Sequence, residues 1–445
     1  AEDSAVTAAA EDPGDLTPAS KPDPDETVRA AAKAGADCIL IETMSDLYEM
    51  KAAVLAAKEN CDLPILASLI FDATGKLLTG GFPRAAVGLL EGLGVDALGI
   101  NCGLGPVQMK PIVEELLRYA SIPVVVNPNA GLPRSENGKT VFDVGAEEFA
   151  EDMEEIVTMG AWFAGGCCGT TPAHIQAMVE KCKEITPVPI TPKNYTFVTS
   201  YSTAVELGGR PVIIGERINP TGKSKFKQAL RDHNIDYILE EGVKQEDSGA
   251  HILDVNVGLP EIDEAAMMET IVYELQSIMP IPLQIDTTNM EAMERAQIDP
   301  SDPIAMEQAL RYCNGKAMIN SVNGKAEIME QVFPLVKKYG GVVVGLALDE
   351  DGIPDTTEGR LAIAEKIYQT GEKYGISRKD IVIDALVMTM STNNESAKIT
   401  LDTVKEITAR GGKTVLGVSN ISFGLPQREL INAAFFTMAM NNGLS

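Results

Sequence analysis

Three cysteines pose the first chemical question. Cys102 closes the apolar run ALGINC (97–102), and the adjacent pair Cys167 and Cys168 closes WFAGGCC (162–168). Two neighbouring cysteines among Gly165, Gly166 and Gly169 are a poor choice for filling a core, but they suit a chain that bends around one ion. Three thiolates leave one vertex of a tetrahedral zinc free, the pattern of catalytic rather than structural zinc sites, and a substrate thiol would complete it. A thiol on zinc is ionised at neutral pH, and the surrounding sulfurs keep it electron-rich enough to attack a methyl group. His174, six residues beyond Cys168, reads as a helix start rather than a ligand, because TTPAH sets a capping threonine before a first-turn proline. Cys38, Cys61, Cys182 and Cys313 read as small hydrophobes.

A second set of polar residues follows the apolar runs of the second half: Glu216 and Asn219 in GERINPTG, Asp254 and Asn256 in LDVNVG, Asp286 and Asn289 in IDTTN, then Asn320, Asp384 and Asn420. Carboxylates and amides can match a flat heterocycle whose edge alternates donors and acceptors, and an aminopterin ring has such an edge. No basic phosphate loop and no GxGxxG run accompanies them, which speaks against a nucleotide cofactor.

These residues need a scaffold that gathers them. From Glu26 onward, apolar β-branched runs alternate with amphipathic helical stretches: CILIET, PILASLIF, ALGINC, PVVVNPN and WFAGGCC in the first half, and seven further runs from VIIGERIN to TVLGVSNI in the second. Continuous apolar strands separated by helices make a parallel α/β sheet, and polar residues just after each strand fall on the face where a (β/α)8 barrel assembles its site. The expected fold is α/β, two (β/α)8-type barrels in tandem. The second is one strand short of closure. The expected domains are an acidic, Ala- and Pro-rich flexible tail over 1–26, a partial barrel over 27–182, a linker over 183–210 where PVPITP and its flanks sustain neither period, and a second barrel over 211–445.

A length of 445 residues suits two such domains, and 45% hydrophobic with 23% charged residues is ordinary for a soluble globular protein. The formal net charge of -27 opposes phosphate backbones and anionic lipid, so nucleic-acid and membrane-surface roles are disfavoured. No apolar run approaches the ~20 residues of a membrane span and no basic-then-apolar leader opens the chain. With an odd seven cysteines, which suit reduced thiols, this predicts a cytoplasmic enzyme.

Through ETMSD (42–46), INCGLGP (100–106), PNAG (128–131) and GGCCGTTPAHI (165–175), the first half resembles the homocysteine S-methyltransferases. The resemblance implies that Cys102, Cys167 and Cys168 bind zinc and that Glu42 contacts the amino group of homocysteine. It covers about residues 27–182, and because family members begin with three further βα units, the first barrel is expected to lack them. Residues 211–445 resemble the methyltetrahydrofolate-binding domains of methionine synthases and of corrinoid methyltransferases. That likeness implies a pterin held by Asp254, Asn289, Asp384 and Asn420 beside Glu216 and Asn219, with Arg428 in support. Asn289 and Asp254 are the catalytic candidates, Asn289 for the hydrogen bond that activates N5 as the methyl group leaves.

Taken together, the halves resemble the cobalamin-dependent methionine synthases. The likeness implies methyl transfer from 5-methyltetrahydrofolate to cob(I)alamin, then from methylcobalamin to zinc-activated homocysteine, giving methionine and tetrahydrofolate. The DxHxxG signature of a cobalamin module is missing, since Asp232-His233 lacks the spacing and His251 opens a strand; the corrinoid is expected on another domain or protein. The alternatives are a methyltetrahydrofolate:corrinoid protein methyltransferase with a vestigial first half, a dihydropteroate synthase-like pterin enzyme, and a non-enzymatic scaffold.

Overall fold

Fully apolar strands dictate the architecture, because a strand buried on both faces must be flanked by helices. The computed structural model describes residues 23–287, 304–391, 393 and 395–445. The chain divides into two compact units, one reaching Lys193 and the other beginning at Asn194. Among the described residues no helix is long and apolar enough to cross a membrane.

The first unit is a parallel sheet of β1 (Ile39–Met44), β2 (Ile65–Leu69), β3 (Ala97–Asn101), β4 (Val124–Asn127) and, beyond a small antiparallel hairpin of β5 (Arg134–Glu136) and β6 (Lys139–Val141), β7 (Phe163–Ala164). Its order is β1-β2-β3-β4-β7, the order of the sequence, so each strand lies beside its successor across a helix. The centre is the most apolar part: every residue of β3 is buried, and Leu98, Ile100, Val124 and Val126 pack under helices that contribute Leu89, Leu90, Met109, Val113, Phe149 and Met153. β1 is an edge, and its Leu40 is 45% exposed. Residues Pro24 to Glu26, placed by sequence in the tail, instead form the first turn of the helix Pro24–Ala34, where the Asp23 carboxylate caps the N–H of Asp25. Residues 1–22 lie outside the described residues.

The second unit opens with an antiparallel hairpin, β8 (Thr196–Thr199) and β9 (Ala204–Leu207), and continues as seven parallel strands with helices between them. These are β10 (Ile214–Ile218), β11 (Ile252–Val255), β12 (Leu283–Asp286), β13 (Met318–Asn323), β14 (Val342–Leu346), β15 (Ile381–Asp384) and β16 (Lys413–Val415), again in sequence order. Both units are therefore barrel-type α/β sheets with the five and seven strands expected from the apolar runs.

The hairpin departs from the expected linker over 183–210. Val198 and Leu207 pack against Ile252, Met318, Val342 and Val382, which open their strands, so the hairpin covers the N-terminal ends of the sheet. Thr199 N donates to Lys316 O (2.9 Å), Lys316 N donates to Thr199 Oγ1 (2.9 Å), and Thr196 Oγ1 donates to Lys379 O. Gly315 permits this approach: a Cβ there would lie 2.0 Å from the Thr199 carbonyl oxygen.

Candidate active sites

In the first unit, β3 delivers Cys102 and the turn after β7 delivers Cys167 and Cys168 to the C-terminal end of the sheet. Cys102 has φ 59° and Gly103 φ 72°, so two consecutive left-handed residues turn the chain sharply as it leaves β3. Cys102 N donates to Asn127 O (3.0 Å), and Cys167 N to Pro128 O (2.8 Å). Cys168 N donates to the side-chain oxygen of Asn129 (3.1 Å), a residue only 2% exposed. The glycines act as the sequence suggested: a Cβ at Gly165 would meet Asn127 Oδ1 at 2.6 Å, and one at Gly169, where φ is 80°, would meet the Phe142 ring at 2.4 Å.

The Sγ atoms of Cys102 and Cys168 lie 3.8 Å apart, those of Cys167 and Cys168 4.0 Å, and all three within 4.8 Å of one another. Zinc–sulfur bonds of ~2.3 Å at tetrahedral angles put sulfurs about 3.8 Å apart, so the spacing fits one zinc ion. Burial, reinforced by the neighbouring sulfurs, pushes the Cys167 thiol up to about 12, and burial likewise raises that of Cys168. Such a trio repels a second negative charge and accepts a cation that neutralises it. Cys168 is exposed, which leaves the cluster open on one side.

His174 is engaged elsewhere, consistent with a helix start. Its Nδ1 accepts from Thr171 N (3.3 Å), and its Nε2 lies 3.0 Å from Val144 O, an acceptor, so the proton sits on Nε2. Glu42 is exposed on edge strand β1, followed by Thr43 with φ 62°. Asn101, the last residue of β3, went unnoticed in the sequence: it is fully buried, accepts from Thr43 N (2.9 Å) and Ser68 Oγ (2.7 Å), and donates to Thr43 Oγ1 (2.6 Å).

In the second unit, strand register sorts the polar residues into two layers. Asp254 on β11 lies opposite Gln284 on β12, and one step nearer the strand ends Asp286 lies opposite Asn320 on β13. Asn256 Nδ2 donates to Asp286 Oδ2 (2.9 Å), while Gln284 Nε2 donates to Asp254 Oδ1. Asp254 is 1% exposed, and neither its Oδ2 nor Gln284 Oε1 has a hydrogen-bond partner among the described residues. Two buried polar atoms so placed call for a ligand or water that can pair with them. Burial, then the charge of Asp286, pushes the Asp254 carboxyl up to about 8; burial pushes Asp286 up to about 6, against the Asn256 hydrogen bond.

The other expected residues are spread around the rim. Asn219 is buried and its Oδ1 caps Thr221 N (2.8 Å), and Glu216 is exposed on β10, its charge adding to the upward push on Asp254 and Asp286. Asp384 ends β15 and accepts from Leu386 N (2.8 Å); burial raises it to about 6. Arg360, 1% exposed and not anticipated, donates from Nη1 to Ala385 O (2.6 Å) and Leu386 O (2.7 Å), which fixes the loop leaving Asp384 although Leu386 has φ 61°. Asn420 is exposed in the short turn Val418–Ser422. Arg428 holds that turn through Ser422 Oγ (3.0 Å) and Ser419 O (2.9 Å) rather than reaching further. Asn289 lies outside the described residues.

Comparison with known proteins adds to this geometry. Residues 25–182 match the family model described as homocysteine S-methyltransferase, and residues 215–445 the model described as pterin binding enzyme. Methionine synthase of Mycobacterium leprae is 32% identical over 438 residues, which span 92% of this chain and 35% of the relative. Methionine synthase of Mycobacterium tuberculosis is 32% identical over 433 residues with the same coverage of 92% and 35%. The chain thus spans about a third of the length of these relatives. Among solved structures, a dihydropteroate synthase from Xanthomonas albilineans in complex with 7,8-dihydropteroate is similar at 17% identity and a TM-score of 0.37, over 53% of this chain and 85% of that one.

Proposed function

Because the chain belongs to the pterin-binding enzyme family, by a match across more than half its residues, and is methionine synthase-like in carrying a homocysteine S-methyltransferase domain ahead of it, we propose that it is a cytoplasmic methyltransferase that moves the methyl group of 5-methyltetrahydrofolate to homocysteine. A cobalamin held by another domain or chain would carry the methyl group between the two substrates, for overall conversion to methionine and tetrahydrofolate. The observation that carries this reading is the triad of cysteine sulfurs at the spacing of a single zinc ion.

Cys102, Cys167 and Cys168 hold the zinc and leave the exposed side of the triad to the substrate thiol. Zinc supplies a Lewis acid that lowers the pKa of that thiol so that it reacts as thiolate. Glu42 accepts the substrate ammonium, which aligns the amino acid end while the sulfur end is fixed. In the second unit Asp254, Asp384, Asn420 and, along the rim, Glu216 and Asn219 meet the donors and acceptors of the pterin. The protein's contribution there is alignment of the N-methyl group and assistance to N5, which leaves poorly unless it gains a proton or a stronger hydrogen bond. Asn289 supplies that hydrogen bond, Asp254 retains a proton, and Arg428 steadies the turn of Asn420.

Elemental analysis tests the metal half directly. One zinc per chain is expected for the wild-type protein and strongly reduced zinc for Cys102→Ala. Undiminished zinc in that variant would remove the triad from the mechanism.

A further inference from the structure

Asn101 stands one residue before Cys102, and its side chain directs its hydrogen bonds to the neighbouring strands. Oδ1 accepts from Thr43 N (2.9 Å) and from Ser68 Oγ (2.7 Å), and Nδ2 donates to Thr43 Oγ1 (2.6 Å). One buried amide therefore ties together the C-terminal ends of β1, β2 and β3. Two non-glycine residues with left-handed backbone adjoin this amide, Thr43 (φ 62°) through its hydrogen bonds and Cys102 (φ 59°) as the next residue in sequence. Neither is glycine, so neither bend is the local preference of its residue, and each must be held from outside. Asn101 grips Thr43 by both its backbone N–H and its hydroxyl, while its own backbone leads directly into Cys102.

Thr43 follows Glu42, so the grip reaches both ends of the substrate assigned above. We infer that Asn101 is a positioning residue that sets the Glu42 limb in register with the cysteine triad, so that the first unit takes an amino thiol by its nitrogen and its sulfur together. This rests on the function proposed above. An amide suits the pattern, since its oxygen accepts from Thr43 N and Ser68 Oγ while its NH2 donates to Thr43 Oγ1; a carboxylate would bring a charge into this buried position, and an alkyl side chain would leave the buried Ser68 hydroxyl without this partner.

The test uses the full chain stripped of metal and titrated with cobalt(II), whose thiolate charge-transfer absorption reports how many sulfurs bind, followed by titration with homocysteine. Asn101→Ala should weaken cobalt or homocysteine binding by about 10- to 100-fold, the usual effect of removing a group that orients metal ligands. Ser68→Ala and Thr43→Val each delete one hydrogen bond to the same amide and should produce smaller losses in the same direction, with homocysteine affected more than cobalt in Thr43→Val. Methyltetrahydrofolate binding at the second unit should remain at the wild-type level in all three. Wild-type cobalt spectra and homocysteine affinity in the folded variants would overturn the inference, and should Asn101→Ala fail to fold, the two single-bond variants decide by the same criterion. A wild-type chain that binds no cobalt would overturn the zinc reading and this inference with it; normal cobalt binding with unperturbed variants overturns this inference alone.

Discussion

At the scale of single residues, the carboxyl of Asp254 has the most measurable consequence. In an unfolded chain it ionises at about 3.9, whereas in the folded unit burial and Asp286 push it up to about 8. Between those values the native protein retains a proton that the unfolded chain has lost. Stability therefore falls as pH rises through this window, by at most about 1.4 kcal/mol per pH unit, and levels off above it. Asp254→Asn keeps an acceptor for Gln284 but has no proton to lose. Denaturant titrations should find this variant increasingly more stable than wild type from pH 4 to pH 8; a difference that does not change with pH would show that Asp254 ionises normally. Residue chemistry was readable in sequence where type and spacing carried it, as in the cysteine triad. It was not readable for Asn101, Gln284 or Arg360, because their partners lie on other elements and no short motif encodes a pairing across spans such as the 58 residues between Thr43 and Asn101.

At the scale of elements, apolar runs such as VVVN and IVID announced their strands because burial on both faces leaves no room for polar alternation. The hairpin of β8 and β9 gave no such signal. Its strands lie in a stretch of Thr, Ser and Tyr with prolines before it, and among its apolar residues only Phe197, Val198 and Leu207 are deeply buried. Its seat against Gly315 is nevertheless tight. Gly315→Ala must displace backbone, since the new carbon would lie 2.0 Å from the Thr199 oxygen, and a cost of about 1–3 kcal/mol to the second unit is expected by analogy with overpacking. Urea unfolding followed by a probe in that unit checks it, and an unchanged midpoint would mean that the hairpin yields freely. Lys316→Met should cost more, about 3 kcal/mol, the low end for breaking a buried pair, because Asp380 (2.7 Å from Lys316 Nζ) would lose its hydrogen-bonded counterion and keep only the attraction of the buried Lys413. Equal stability of Lys316→Met and wild type would show that Asp380 is solvated.

At the scale of the whole molecule, the triad and the pterin residues belong to different units, and no residue assigned to one contributes to the other. The two half-reactions of the proposed function should therefore separate. Cys167→Ser should abolish methyl transfer from the corrinoid to homocysteine and leave transfer from folate to the corrinoid near wild type. Asn289→Ala should slow the folate step by roughly 10²–10⁴-fold, the range for loss of acid–base assistance, without changing zinc content. Assays of each step with free cobalamin as carrier would expose a shared site if both rates fell together in either variant.

The hairpin that seals the second sheet also orders events in time. Thr196 meets Lys379, 183 residues later in the chain, and Thr199 meets Lys316. At ~5–20 residues per second of synthesis, the hairpin leaves the ribosome roughly 10–40 s before its last partner exists. During that interval Val198 and Leu207 have no floor to rest on, whereas every strand of the first unit has already been made. Nascent chains halted between residues 210 and 380 should thus expose Val198 and Leu207 of the hairpin without the full set of strands that covers them.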